Sequence, residues 1–275
     1  MKPFLFACLA VVLVGGVAHA GAGLDLKWNQ LPDGSVNGYD FSSETLAPST
    51  VADDFLCNDP RAITDIHWWG SYWTALPLDK NSDHHGDPSF PAPNVAPVMP
   101  STVASFLITF YSDVPALTDP QMPHSHPGGV LSSQTVQMNQ VVTNLHGIID
   151  RDANAILGDD GDEAVWGYDV ILPTPFAQTP GTIYWLSIEA ANTGAGNPSN
   201  IQWGWHESSD HWNDNAVQHG PAAWGPDYAN TQWVNLAPKD MAFQLTVPDI
   251  PEPATLGLIS SGLIWIATAR RRSRK

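Results

Sequence analysis

The chain has 275 residues, 28 of them acidic and 11 basic, for a net charge of −17, together with 24 prolines, 22 glycines and 12 tryptophans. Nucleic acid and anionic lipid repel such a polyanion, which excludes nucleic-acid binding. Cys8 falls in the N-terminal apolar run and leaves Cys57 alone in the body, so no intramolecular disulfide is expected and stability rests on packing and bound ions.

Met1–Ala20 carries Lys2, an apolar run from Phe4 to Val17 and then Ala18-His19-Ala20. That is the pattern of a secretory signal cleaved after Ala20, with the Sec translocon as partner. Residues 21–249 form the body, read as a single domain in which Lys27, Arg61, Lys80, Arg151 and Lys239 face 27 acidic residues. Only Glu44, Glu163, Glu189 and Glu207 among those acids are glutamate. Aspartate suits turns and oxygen-ligand loops more than helices, so few helices are expected.

Period-two alternation runs through the body. Ile66, Trp68 and Tyr72 share one face of Ile63–Trp73, and Ala104, Phe106, Ile108 and Phe110 share one face of Val103–Ser112. Ala164 to Leu172, Tyr184 to Ile188, Ile201 to Trp205 and Met241 to Val247 repeat the pattern, with weaker strands at Val51–Cys57 and Gly129–Val136. Eight or nine short strands between Pro, Gly, Asp and Asn turns predict an all-β fold: a two-sheet antiparallel sandwich, jelly-roll-like. Proline-rich Leu76–Pro100 and Asp113–Gly129 are expected as loops.

Three stretches could carry chemistry. Asp150-Arg151-Asp152-Ala153-Asn154 opens like a calcium loop, and Asp159, Asp160, Asp162 and Glu163 follow. Ala155 stands where an EF-hand needs Gly, and Gly161 where it needs a bidentate Glu, so an EF-hand is excluded. A non-EF Ca²⁺ site of Asp150, Asp152, Asn154, Asp159, Asp160 and Asp162 remains, against a solvated acidic turn. By parity Trp69, Trp73, Trp185 and Tyr111 point away from the core, where rings beside polar groups could stack on a polysaccharide. The competing reading has loops folding over them. Glu189 and Glu207 form the obvious glutamate pair for a glycan-acting enzyme. No nucleophile elbow, phosphate loop or zincin motif occurs; His206 and His211 are five apart and follow a strand.

The last residues read Pro251-Glu252-Pro253, sixteen uncharged residues from Ala254 to Ala269, and then Arg270, Arg271, Arg272, Ser273, Arg274 and Lys275. A helix of that length covers roughly 24 Å of a ~30 Å hydrocarbon core, a marginal span with its basic end held on the cytoplasmic side. This stretch, 250–275, resembles a PEP-CTERM sorting tail with a short transmembrane segment. The resemblance implies an exosortase-type membrane transpeptidase as partner, transient anchoring in the inner membrane, and delivery to the cell surface or extracellular matrix. An ordinary membrane anchor is the alternative. Val51-Ala52-Asp53-Asp54-Phe55, His67-Trp68-Trp69-Gly70, Trp203-Gly204-Trp205, His211-Trp212-Asn213-Asp214 and Asp240-Met241-Ala242-Phe243 resemble Trp-rich exported β-sandwich domains that accompany such tails. The resemblance implies a sandwich and no catalytic residues. The expectation is therefore an exported, non-catalytic structural or adhesive protein, then a carbohydrate-binding module, and third an enzyme.

Overall fold

The computed structural model describes residues 24–46, 48–74, 86–159, 161–192, 201–220 and 232–248. The expected signal, the tail with Pro251, Glu252, Pro253 and its arginines, the hydrophobic helix of that tail, and Asp160 lie outside the described residues. Fourteen strands occur among the residues described: β1 Leu24–Gln30, β2 Asp40–Ser42, β3 Thr50–Leu56, β4 Ile63–Thr74, β5 Val103–Val114, β6 His126–Gln137, β7 Val142–Asp150, β8 Asp162–Phe176, β9 Ile183–Asn192, β10 Ile201–Ser208, β11 Val217–His219, β12 Val234–Asn235, β13 Asp240–Met241 and β14 Phe243–Pro248. One 3₁₀ turn, Met138–Gln140, joins β6 to β7.

These strands make two sheets, and the pairings between named strands are antiparallel. In the eight-stranded sheet β4 pairs along one edge with β8 and along the other with β14 and then β10; β7 lies outside β8, β1 outside β14, and β2 and β13 outside β10. The six-stranded sheet runs β12-β11-β3-β9-β5-β6. Successive strands from β3 to β10 either cross between sheets or form the hairpins β5–β6 and β7–β8. That is the connectivity of a jelly roll. Residues Asp25–Pro248 form one compact unit.

Alternation explains which side chains meet between the sheets. Trp68, Tyr72, Trp166, Tyr168, Trp203, Trp205 and Phe243 come from the larger sheet, and Phe55, Phe106, Phe110 and Tyr184 from the smaller. Trp68 stacks on Tyr168 with centroids 5.4 Å apart, and Phe110 on Phe176 at 4.0 Å. Phe106 meets Trp68 and Trp203 edge-on at 5.0 and 5.1 Å. Each such ring removes a large apolar area from water, about 1.5–3 kcal/mol for a fully buried side chain of Phe size. Three of the polar ends pair with one another, Trp203 Nε1 donating to Tyr168 Oη at 3.2 Å and Tyr168 Oη to Tyr72 Oη at 3.2 Å, whereas Trp68 Nε1 is buried without a partner.

β7 escapes sequence reading because Val142 and Leu145 on it are exposed and its alternation is broken. Two glycines make room for rings where β4 and β10 adjoin. A Cβ on Gly70 would lie 2.4 Å from the Gly204 carbonyl oxygen and 2.6 Å from a Trp203 ring carbon; one on Gly204 would lie 2.5 Å from the Trp73 ring. Gly70→Ala should therefore force the Trp203 ring or the strand to shift, at a cost of about 1–3 kcal/mol. A melting temperature lowered by several degrees checks this; an unchanged one would show that Trp203 moves freely.

Candidate functional site

The β7–β8 hairpin sets Asp150 opposite Asp162 and Ile149 opposite Glu163, so the predicted calcium loop becomes the hairpin tip. Within it, Asp152 Oδ1 accepts from the Asn154 amide nitrogen at 3.0 Å and Asp152 Oδ2 from Asn154 Nδ2 at 2.6 Å. Asn154 Nδ2 also reaches Asp159 Oδ2 at 2.5 Å, and Asp150 Oδ2 accepts from the Ala155 nitrogen at 3.1 Å. The Gly158 nitrogen donates to Asp162 Oδ2. Ala155 adopts φ 62°, the left-handed conformation in which an EF-hand places Gly, so the turn forms with alanine. Asp150 Oδ1 and Asp162 Oδ1 are buried without a hydrogen-bond partner, and Asp162 as a whole is 6 % exposed. Burial pushes the Asp162 carboxyl up, and the charges of Asp159, Asp150 and Asp152 push the same way.

The described part of the proline-rich loop braces this tip. Asp87 is buried, accepts from the nitrogens of Ser89 at 2.7 Å and Ala164 at 2.6 Å, and so fixes the start of β8. The Asn94 nitrogen donates to the Leu157 carbonyl at 2.5 Å. What the sequence suggests as a surface loop is, from Asp87 on, the wall of the acidic tip.

Beside the tip, on the outer face of the larger sheet, Glu163 meets Asp40 of β2 and His206 of β10. His206 Nδ1 lies 3.1 Å from Asp40 Oδ1 and 3.5 Å from Glu163 Oε1, while Nε2 lies 2.9 Å from the Asp33 carbonyl oxygen. Ser71 Oγ donates to Glu163 Oε1 at 2.8 Å, and Arg151 Nη2 pairs with Glu163 Oε2. Arg151 also donates to the carbonyls of Val36 at 2.9 Å and Gly38 at 2.5 Å, with its guanidinium over the Tyr39 ring. The donor atoms of Asp40, Glu163 and His206 lie within 4.8 Å of one another, a spacing that could hold a metal. Those atoms are, however, already matched. Nε2 facing a carbonyl must carry a hydrogen, and Nδ1 then serves two carboxylates whose remaining charge Arg151 balances. The cluster acts as a charge network that ties residues 33–40 to the hairpin.

Burial opposes the imidazolium, but the carboxylates of Asp40 and Glu163 hold His206 well above its usual range. Burial, reinforced by Glu163, pushes Asp40 up to about 7. Burial also works against ionised Glu163, yet hydrogen bonds and charge from its partners, His206 foremost, keep it well below the usual carboxylate range.

The proposed sugar-stacking residues are not brought together. Trp69 and Trp73 lie on the outer face of β4 either side of Ser71, whereas Trp185 and Tyr111 are paired neighbours on the outer face of the other sheet. Trp185 is fully buried against Ala52 and Val217, with Nε1 on Asp113 Oδ1 at 2.8 Å. Trp69 packs on Ile149, Val165 and Ala242 at 8 % exposure, and Trp73 donates to Gln202 Oε1 at 2.7 Å. These rings point outward as parity predicts, but covering segments bury Trp69 and Trp185 in small secondary cores, while Trp73 and Tyr111 stay half-buried. Glu189 receives Thr50 Oγ1 at 2.6 Å on β9, and Glu207 pairs with Lys239 on β10; they belong to different sheets and cannot face each other. Sequence reasoning misses the Asp40–Glu163–His206 set because its members come from three separate strands. The one signal was the outward parity of Glu163 and His206.

The family model described as a domain of unknown function, DUF7901, matches residues 26–246, nearly the whole sandwich. No curated protein matches the chain.

A raised pKa means stability that is complete below the unfolded value and lost as pH climbs through the folded one. For Asp40 that window runs from about 4 to about 7, and for His206 from about 6.5 upward. In calcium-free buffer the urea midpoint should therefore fall between pH 5.5 and 8.5, and Asp40→Asn should flatten the fall. An unchanged slope in Asp40→Asn would show that the network does not hold the proton.

Proposed function

We propose that this chain, which belongs to the DUF7901 family, a domain of unknown function, is an exported, non-catalytic β-sandwich protein with a structural or adhesive role in the cell envelope or extracellular matrix, its hairpin tip held by Ca²⁺. The observation that carries the reading is the pair of buried, unpartnered oxygens, Asp150 Oδ1 and Asp162 Oδ1, at a tip that also holds Asp152, Asn154 and Asp159. A buried carboxylate oxygen without a donor costs roughly 1–3 kcal/mol or more, and a hard cation with oxygen ligands removes that cost. Extracellular calcium sites work at about 10⁻⁴–10⁻³ M, in keeping with an exported protein. Export is supported by the secretory pattern of Met1–Ala20 and the sorting-tail resemblance of Pro251–Arg272. The non-catalytic reading is supported by the separation of Glu189 and Glu207 into different sheets.

Melting the protein in EDTA and then in rising CaCl₂ tests the tip. At ten times the dissociation constant, linkage adds about 1.4 kcal/mol, or roughly 3–6 °C for a domain of this size. Asp152→Asn should remove most of the tip's share of that rise. A wild-type melting temperature indifferent to EDTA and calcium would remove the proposal.

A further inference from the structure

The edge of a sheet is a row of backbone N–H and C=O groups, a template for a further strand, and folded proteins blunt such edges by shortening, charging or bulging them. Among the described residues all the edges but one are blunted in this way. β1 carries Asp25 and Lys27, while β2, β12 and β13 are three, two and two residues long. A bulge between Leu145 and Gly147 interrupts β7. β6 is the exception: it has twelve residues, none of them Asp, Glu, Lys or Arg, and it pairs with β5 alone. Its own register shifts lie at its first half, beside Phe110 to Asp113, and leave Ser132–Gln137 in continuous register with Ser105–Phe110.

That stretch is held in place. Gln134 Nε2 donates to the Thr174 carbonyl at 2.8 Å and Gln134 Oε1 accepts from the Thr174 nitrogen at 2.8 Å, which ties the middle of β6 to β8 of the other sheet. Val136 is fully buried, and where the strand ends the Gln137 nitrogen donates to Gln140 Oε1 at 2.8 Å. On the outer face Ser133, Thr135 and Gln137 stand exposed beside Thr109, Leu107 and Ser105 of β5, with no ionisable side chain among the six. Val130 and Leu131, earlier on the same strand, are 61 and 52 % exposed. In a chain of net charge −17, two copies repel wherever acidic surface meets acidic surface, and this margin brings none.

We infer that a second copy of this chain docks on β6, the two β6 strands pairing antiparallel about a twofold axis so that the six-stranded sheets run on into each other. Such a contact needs a patch complementary to itself, and this edge supplies one. Pairing centred on Thr135 sets Ser133 of each copy opposite Gln137 of the other and keeps the exposed side chains of both on the same face. A foreign strand would find no charge on this edge to steer or select it, whereas a second copy matches it in length, polarity and face. The backbone groups of Ser132–Gln137 that point away from β5 then gain partners, the general mode of strand addition to an open sheet. This inference stands whether or not the hairpin tip binds an ion.

The test is sedimentation velocity with backbone amide exchange on the full chain over a concentration series. Wild type should pass from one chain to two as concentration rises, and alternate amides within Ser132–Gln137 should slow at least about tenfold as it does. Thr135→Glu sets like charges face to face across the axis, so it should stay a single chain throughout and lose that protection. Leu26→Glu, the same change at a 54 % exposed position on β1, should associate as wild type does. Should Thr135→Glu not fold, the wild-type exchange series decides alone. Doubled mass with fast β6 amides would mean association elsewhere, and β6 amides protected at every concentration would mean that a segment of the same chain covers the edge. A wild type that stays single with fast amides would mean an edge kept for another partner. Each of these results overturns the inference, as does equal loss of association in Leu26→Glu.

Discussion

The interlock of aromatic rings between the two sheets is the constraint on which the rest depends. Trp68 lies flat on Tyr168 while Phe106, from the opposite sheet, wedges against both and against Trp203. Stacked and edge-on rings fix both the spacing and the lateral offset of the sheets, because each ring has few rotamers and a large area to match. The glycines at 70 and 204 are the counterpart of that rigidity. Where β4 and β10 run side by side, rings occupy the volume that side chains would take.

Once the sheets are placed, their margins gather charge. The body has few cations, so buried aspartates cannot be neutralised by ion pairs as a rule, and different places solve the same problem differently. Asp87 is met by two backbone N–H groups. Asp40 and Glu163 share His206 and Arg151. At the hairpin tip the protein donors run out, and Asp150 and Asp162 each keep a bare oxygen. A fold with a net acidic composition and sealed carboxylates gains most from an environment rich in divalent ions.

The outer faces tell the same story of closure. Trp69 and Trp185 point away from the main core, yet each nucleates a small apolar cluster under a neighbouring segment. Tyr39, by contrast, remains largely exposed, gripped on its faces by Arg151 and Lys239. Trp69 and Trp185 thereby hold the margins of the described sandwich.

The residue pattern alone determined the strand-built class, the inward faces of β4, β5, β8, β9 and β10, and the candidate ligands from Asp150 to Asp162. Those are local properties: period-two alternation and the clustering of short acidic side chains within one turn can be read along the chain. Tertiary structure alone decided that Trp185 is covered, that Glu189 and Glu207 are kept apart, and that Asp40, Glu163 and His206 meet. It alone decided too that Asp53 and Asp240 meet at Gln30. Each of these depends on which strand lies beside which and on where a loop comes to rest, and parity along a single strand carries no information about its neighbours.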